Sequence, residues 1–264
     1  MDTEKFLKLH YQSYDEDARL RSKSGKIEFI TTMHYINRYL KEGYRVLEVG
    51  AGTGIYSHAI ARKGYSVDAI ELVEHNIDIF NRNTACGEKI TVRQGNAVDL
   101  SYIEDEVYDI TLLLGPMYHL FTVEEQRRAL EEGLRVTKCG GKLFVAYCGN
   151  DATAVQFYFG KHMTKIQPFA DLADKNTFKL NSIPELIFAL HRREDIDVLI
   201  DGLNVKRLHF VGTDMATQYM REKVDEMDEE EYALYLKYVL ATCERTDLVG
   251  ASNHFLDILQ KIQN

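Results

Sequence analysis

Hydrophobic positions along the chain change period several times, and each change marks an element. Phe29, Met33, Ile36 and Leu40 recur every three or four positions, which predicts a helix over residues 27–41, stopped by Gly43. Tyr44–Val49 is a short apolar run leading into a glycine-rich turn, the pattern of a buried strand. Helix and strand patterns then alternate. A helix over Ile55–Lys63 closes at Gly64, and a strand covers Ser66–Leu72. A helix over Val73–Asn81 turns Val73, Ile77 and Phe80 inward, and a third strand covers Lys89–Arg93. Asp109–Leu114 is almost wholly apolar and predicts a central strand. Thr122-Val-Glu-Glu125 predicts a capping box, in which hydroxyl and carboxylate each satisfy an orphan backbone N–H. Its helix runs to about Lys138, and Gly140-Gly141 turns the chain into a fifth strand, Lys142–Cys148.

The rhythm breaks over residues 149–186, where Phe157, Tyr158, Phe159, His162, Met163, Phe169 and Phe178 follow no period, so this stretch is read as an inserted cap. A helix over Arg193–Leu203 and a sixth strand over Asn204–Val211 follow. A second capping box at Asp228–Glu231 opens a helix striped by Tyr232, Tyr235, Leu236, Val239, Leu240 and Cys243, and Asn253–Ile262 is a seventh strand. This order predicts an α/β fold: a doubly wound, mostly parallel seven-stranded sheet with helices on both faces, plus an inserted helical and irregular cap. Three stretches are expected: 1–148, an N-terminal segment and ligand-binding core; 149–186, the cap; 187–264, completing the core with strands six and seven.

Composition narrows the class. The 264 residues are 45% hydrophobic and 28% charged, an ordinary globular balance. Cys86, Cys139, Cys148 and Cys243 form no CxxC pair, which argues against a disulfide scaffold or zinc knuckle and fits a reducing compartment. The start, Met1-Asp-Thr-Glu4, is acidic where a signal peptide is basic, and no run approaches the ~18 apolar residues of a membrane span, so a cytoplasmic location is expected. A net charge of −9 without a Lys/Arg stripe disfavours nucleic acid as partner.

The chemistry concentrates at Glu48-Val-Gly50-Ala-Gly52-Thr-Gly54-Ile-Tyr56, where a strand enters a glycine turn and then a helix. Glycines there permit positive φ and let a ligand approach bare backbone. Their G-x-G-x-G spacing departs from the dinucleotide fingerprint, which has its third glycine one position later. Glu71 ends the second strand, where a carboxylate can accept ribose hydroxyls. Gly95-Asn96-Ala97 follows the third strand. All three loops fall at strand carboxyl ends, where open α/β sheets bind ligands.

These residues resemble the class I S-adenosylmethionine-dependent methyltransferases. Glu48 to Gly54 looks like the family's first motif, an acid followed by x-G-x-G-x-G. Glu71 sits where the family places its ribose-binding acid. Gly95-Asn96-Ala97-Val-Asp99 resembles its adenine-binding G-D-A segment, with Asn96 for the usual Asp. The resemblance is specific over about residues 44–148. It implies S-adenosylmethionine as cofactor, S-adenosylhomocysteine as product, and cofactor contacts from Glu48, Gly50, Ala51, Gly52, Tyr56, Glu71, Leu72, Asn96, Ala97, Leu114 and Gly115. Tyr14-Asp-Glu-Asp-Ala-Arg19, Leu114-Gly-Pro-Met-Tyr118-His119-Leu and Val249-Gly-Ala-Ser-Asn253-His254 further resemble a bacterial, small-molecule-type subgroup. Family members often fold an N-terminal segment over the cofactor, which makes Tyr14 and Arg19, with Tyr11 and Arg21 nearby, candidate cofactor contacts; an amphipathic surface helix is the equal alternative.

Members of the family bring their acceptor to the loop after the fourth strand. His119 is therefore the candidate base or acceptor anchor, with Tyr118 beside it; a packed loop histidine is the alternative for either residue taken singly. Cys148 is read as core, and the acids of Asp225–Glu231 as ordinary helix N-terminal residues. The chain lacks a D/N-P-P-Y motif and a recognisable His/Asp metal set. The expected function is direct in-line methyl transfer to N or O of a small molecule, without metal. RNA or protein as acceptor, and a non-catalytic S-adenosylmethionine-binding protein, are the rival readings; a nicotinamide-dependent enzyme is disfavoured by the glycine spacing.

Overall fold

The structure, a computed structural model, describes residues 6–7, 20–167 and 169–263; Tyr11, Tyr14 and Arg19 lie outside them. Helix α1 (Lys23–Tyr39) starts four residues before its predicted bound at residue 27, because the Ser22 hydroxyl accepts from the Gly25 N–H and fixes the first turn. It buries Ile27, Met33 and Ile36. Then come β1 (Arg45–Val49), α2 (Ile55–Ala61), β2 (Ser66–Glu71), α3 (Glu74–Asn83), β3 (Ile90–Gln94) and β4 (Tyr108–Leu113). Helix α4 (Val123–Val136) opens on the predicted capping box, with Thr122 and Glu125 bonded reciprocally. The chain continues through β5 (Thr137–Gly149), α5 (Asn150–Thr153), β6 (Leu190–His191), α6 (Arg193–Ile200), β7 (Val205–Gly212), α7 (Arg221–Glu226), α8 (Glu229–Thr242) and β8 (His254–Lys261).

The sheet runs β3-β2-β1-β4-β5-β8-β7, with β6 paired to the end of β5. Strands β1 to β6 pair in parallel; β8 is antiparallel to both β5 and β7. The doubly wound architecture is as expected; among the described residues the sheet has eight strands where seven were expected. The addition, β6, has two residues and is too short to leave a periodic signal. Strand β5 also starts five residues before its predicted bound. Thr137 is held there by its hydroxyl, which bonds Thr111 Oγ1 and the Gly133 carbonyl. At Asp228 the carboxylate accepts from the Glu231 N–H, the forward half of the second predicted box.

Alternate residues of the central strands feed two cores, as a sheet covered on both faces requires. Leu47, Val49, Leu143, Val145 and Tyr147 pack with Leu130 of α4 and Ile196 of α6. Val46, Ile110, Phe144, Leu256 and Ile258 pack on the other face with Ile27 and Ile36 of α1 and Val239 of α8. The residues after β5 form α5, a π-helical turn over Ala154–Phe159, and short 3-10 turns. Their own small core joins Ala154, Tyr158 and Leu180. The fully buried Asn150 side chain brackets Leu180, donating to its carbonyl at 2.8 Å and accepting from its N–H at 3.0 Å. No described helix is long and apolar enough to cross a membrane.

Candidate functional site

Parallel strands end together, so the loops after β1, β2, β3 and β4 gather at one edge of the sheet. The turn after β1 is fixed first by backbone: the Gly50 and Ala51 N–H groups both donate to the Ile70 carbonyl of β2, at 2.8 and 3.1 Å. Gly50 has φ +73°, and a Cβ built on it would lie 2.6 Å from Cδ of Pro116 in the loop after β4. From the other side, a Cβ on Gly115 would lie 2.8 Å from the Gly50 carbonyl oxygen. The two loops thus touch through bare backbone, which only glycine at both positions allows.

Glu71 closes this turn against β2. Its Oε2 accepts from the Gly52 N–H at 2.8 Å. Its Oε1 accepts from the Val73 N–H at 2.9 Å and the Asn76 amide at 3.2 Å. Burial pushes the Glu71 pKa up, and hydrogen bonds from Val73, Gly52, Asn76 and the Leu72 backbone oppose that shift. A carboxylate offers about four lone-pair positions. At least three are occupied from within the chain, where the sequence suggested room for both ribose hydroxyls.

The remaining expected positions are placed as follows. Glu48 is buried on β1 and accepts from the Ser57 hydroxyl of α2, beneath the turn. Ala51 packs with Ala69 and Phe80. Tyr56 sets its ring against Phe29 of α1, centroids 5.2 Å apart. Leu72 is half-buried at the end of β2, and its carbonyl accepts from the Gln94 amide at 3.0 Å. Asn96 Oδ1 accepts from the Val98 N–H at 3.2 Å, and Ala97 is buried behind it. Leu114 is buried on the α1 side.

Pro116–Tyr118 forms a 3-10 turn that presents Tyr118 and His119. The Tyr118 carbonyl accepts from the Ala189 N–H at 2.6 Å. His119 Nδ1 is 2.8 Å from the Ile187 carbonyl, and its ring lies 5.8 Å from Phe188. The pair therefore joins the β4 loop to the returning end of the segment after β5.

A second cluster on this edge was not expected from the sequence. His254 begins β8 and pairs in register with Cys148 at the end of β5. Its Nδ1 lies 2.9 Å from Asp214 Oδ2 and 3.7 Å from Glu28 Oε2 of α1. The Tyr118 ring is 6.1 Å away. Asp214 is fully buried and accepts from the Ser252 hydroxyl and the Asn253 and His254 N–H groups. Burial opposes charge on the His254 ring, but Glu28 and Asp214 overcome it and hold the imidazole well above the usual histidine range. The one sequence signal was the Val249–His254 stretch. Among the described residues, no group of three or more His, Cys, Asp or Glu is arranged to hold a metal ion.

The fold and its glycine turn place the chain among Rossmann-like α/β proteins that bind a ligand at the carboxyl edge of the sheet. Residues 46–141 match the family model described as a methyltransferase domain. Demethylmenaquinone methyltransferase of Clavibacter sepedonicus is 33% identical over 103 residues, 39% of this chain and 40% of that protein. Ubiquinone biosynthesis O-methyltransferase of Pseudomonas savastanoi is 28% identical over 116 residues, 44% of this chain and 49% of that protein. Each match spans less than half the relative's length. In fold, the chain is similar to an S-adenosylmethionine-dependent methyltransferase of Methanosarcina mazei, with TM-score 0.57 and 20% identity over 87% of this chain and 98% of that one.

Proposed function

We propose that this protein moves a methyl group from S-adenosylmethionine to nitrogen or oxygen of a small molecule by direct in-line transfer. The observation that carries this reading is the contact between Gly50 and the Pro116 loop beside the Glu71-anchored turn. It sets a turn of bare backbone beside a buried carboxylate, an acceptor suited to a ribose hydroxyl. The bound cofactor supplies an already activated sulfonium methyl. The chain's task is then to orient the acceptor and exclude water, which can contribute ~7–11 kcal/mol to lowering the barrier.

In this reading Glu71 accepts a ribose hydroxyl. Leu72, Asn96 and Ala97 flank the adenine; the Asn96 oxygen already accepts from Val98, so its amide group is the better placed to donate. Gly50, Ala51, Gly52, Leu114 and Gly115 line the methionine end, with Glu48 and Tyr56 supporting the turn from beneath. Tyr118 and His119 flank the acceptor, and Tyr14 and Arg19 are proposed to close over the cofactor. The names of the two relatives, a demethylmenaquinone methyltransferase and a ubiquinone biosynthesis O-methyltransferase, support a small-molecule acceptor.

A thermal-shift panel with S-adenosylmethionine, S-adenosylhomocysteine, NADH and NADPH tests the reading. A ligand at a hundred times its dissociation constant stabilises by ~2.7 kcal/mol, a rise of several degrees for a chain of this size. A rise with the two sulfur nucleosides alone is expected. A rise with a nicotinamide instead overturns the assignment.

A further inference from the structure

We infer that the segment between β5 and β6 docks the protein on an anionic lipid surface. This goes beyond the methyltransferase reading and does not depend on it.

The pattern of burial comes first. All four phenylalanines exposed among the described residues, Phe157, Phe159, Phe178 and Phe188, lie between β5 and β6. Val155 and Ile166 of the same segment are exposed as well. The segment has a core of its own, so their exposure is not a want of packing partners. Tyr158 packs there with Ala154 and Leu180, and its hydroxyl donates to the Ala170 carbonyl at 2.9 Å. Its neighbours on the π-helical turn, Phe157 and Phe159, are turned out instead. Ring contacts extend this surface: Phe157 lies 6.2 Å from Phe169, and Phe159 lies 6.4 Å from Phe178. Phe178 is also held at φ +54°, a conformation that costs a bulky residue more than Gly or Asn. Folding alone would favour a small residue there. A contiguous exposed apolar surface of this kind marks a contact site.

Charge identifies the partner. The chain carries a net −9, yet from Ala152 to Ala170 it has no Asp or Glu. Lys161, His162 and Lys165 stand in that stretch, and all three are exposed. The Lys161 ammonium lies 5.2 Å over the Phe157 ring. Rings interleaved with lysines suit a membrane surface, where the rings enter the headgroup boundary and the ammonium groups meet lipid phosphates. A wholly polar acidic partner would satisfy the lysines but leave the rings in water. A second copy of the segment would bury the rings but set lysine against lysine. The negative body of the protein is screened beyond about 8 Å at physiological salt, so the local positive stretch decides the encounter. That no described helix is long and apolar enough to span a bilayer bears on crossing it, not on lying against it. The Ile187 carbonyl near the end of the segment holds His119, so the docking segment borders the proposed acceptor loop.

Co-sedimentation of the full chain with lipid vesicles tests this. One set is phosphatidylcholine alone; the other is equal parts of phosphatidylcholine and phosphatidylglycerol. The protein is expected to sediment with the mixed vesicles, far less with the neutral ones, and less as salt rises. Phe159→Ser with Phe178→Asn, and Lys161→Glu with Lys165→Glu, should each weaken partitioning by about tenfold or more without lowering the thermal unfolding midpoint. Leu234→Ser removes a side chain of α8 that is 67% exposed, more than any of these phenylalanines, and should leave partitioning unchanged. No sedimentation with the mixed vesicles overturns the inference. So does binding that the Leu234 variant weakens as much as the segment variants do. A dimer in light scattering that the phenylalanine variant abolishes, without vesicle binding, assigns the surface to a second copy and overturns it too. Vesicle binding and the thermal shift with the sulfur nucleosides are read separately, so either reading can fail alone.

Discussion

The N–H of Gly52 donates to the Glu71 carboxylate across 2.8 Å, so the residue proposed to hold the ribose also holds the turn that faces the methionine end. One buried carboxylate links two parts of the proposed cofactor site, accepting from Gly52 in the loop, from Val73 and from Asn76 of α3.

Glu71→Ala and Glu71→Gln separate its two duties. Alanine leaves the Gly52 and Val73 N–H groups without their acceptor, at about 1–3 kcal/mol for each group left buried and unsatisfied. Glutamine keeps one acceptor oxygen but sets its amide against an N–H donor. The expected outcome is weakened S-adenosylhomocysteine binding in both, about a hundredfold for alanine and less for glutamine, with the larger stability loss in alanine. Calorimetric titration and urea unfolding give the two quantities. Lost stability with unchanged affinity would confine Glu71 to a structural part.

Gly50 and Gly43 form a matched pair for testing the loop contact. Both have positive φ, +73° and +81°. A Cβ at Gly43 meets nothing within 4 Å, whereas one at Gly50 meets Pro116. Gly43→Ala should therefore cost only the backbone strain, about 1 kcal/mol, and leave ligand binding unchanged. Gly50→Ala adds an overpacking cost of about 1–3 kcal/mol and displaces the Pro116 loop, so cofactor affinity falls with stability. Urea unfolding and calorimetric titration of both variants check this. Equal effects at the two positions would dissociate the loop contact from the ligand site.

The core of this fold was legible because its signals are local. The apolar run of β4, the Thr122–Glu125 box and the Gly50 turn each reside within a few consecutive residues. Glu71 stands farther along, at the end of β2, and the parallel pairing of β1 with β2 brings its carboxylate to the Gly52 N–H. The Glu28–Asp214–His254 cluster was not legible, since its members lie on α1, after β7 and at the start of β8, and only the antiparallel return of β8 assembles them. Strand β6 was missed because two residues carry no period. How far the chain itself occupies the Glu71 carboxylate could be read only once its donors were placed.

The last expectation concerns acid stability and turns on His191. It lies on β6 with 4% of its surface exposed, its ring 5.1 Å from that of Tyr147. Among the described residues, neither its Nδ1 nor the Tyr147 hydroxyl has a hydrogen-bond partner. Burial lowers its pKa from 6.5 to about 4, so the folded protein keeps the ring neutral where the unfolded chain protonates it. The unfolded state therefore binds more protons between these values, and stability must fall as pH drops from 6.5 towards 4. At 1.36 kcal/mol per unit, the contribution lost is about 3 kcal/mol. His191→Gln has no such proton to gain, so the stability difference between pH 7 and pH 4 should shrink by about that amount. Urea unfolding of both proteins at the two pH values measures it. An unchanged difference would mean that the His191 ring is protonated in the folded state, with an acceptor drawn to it from water or a neighbouring side chain.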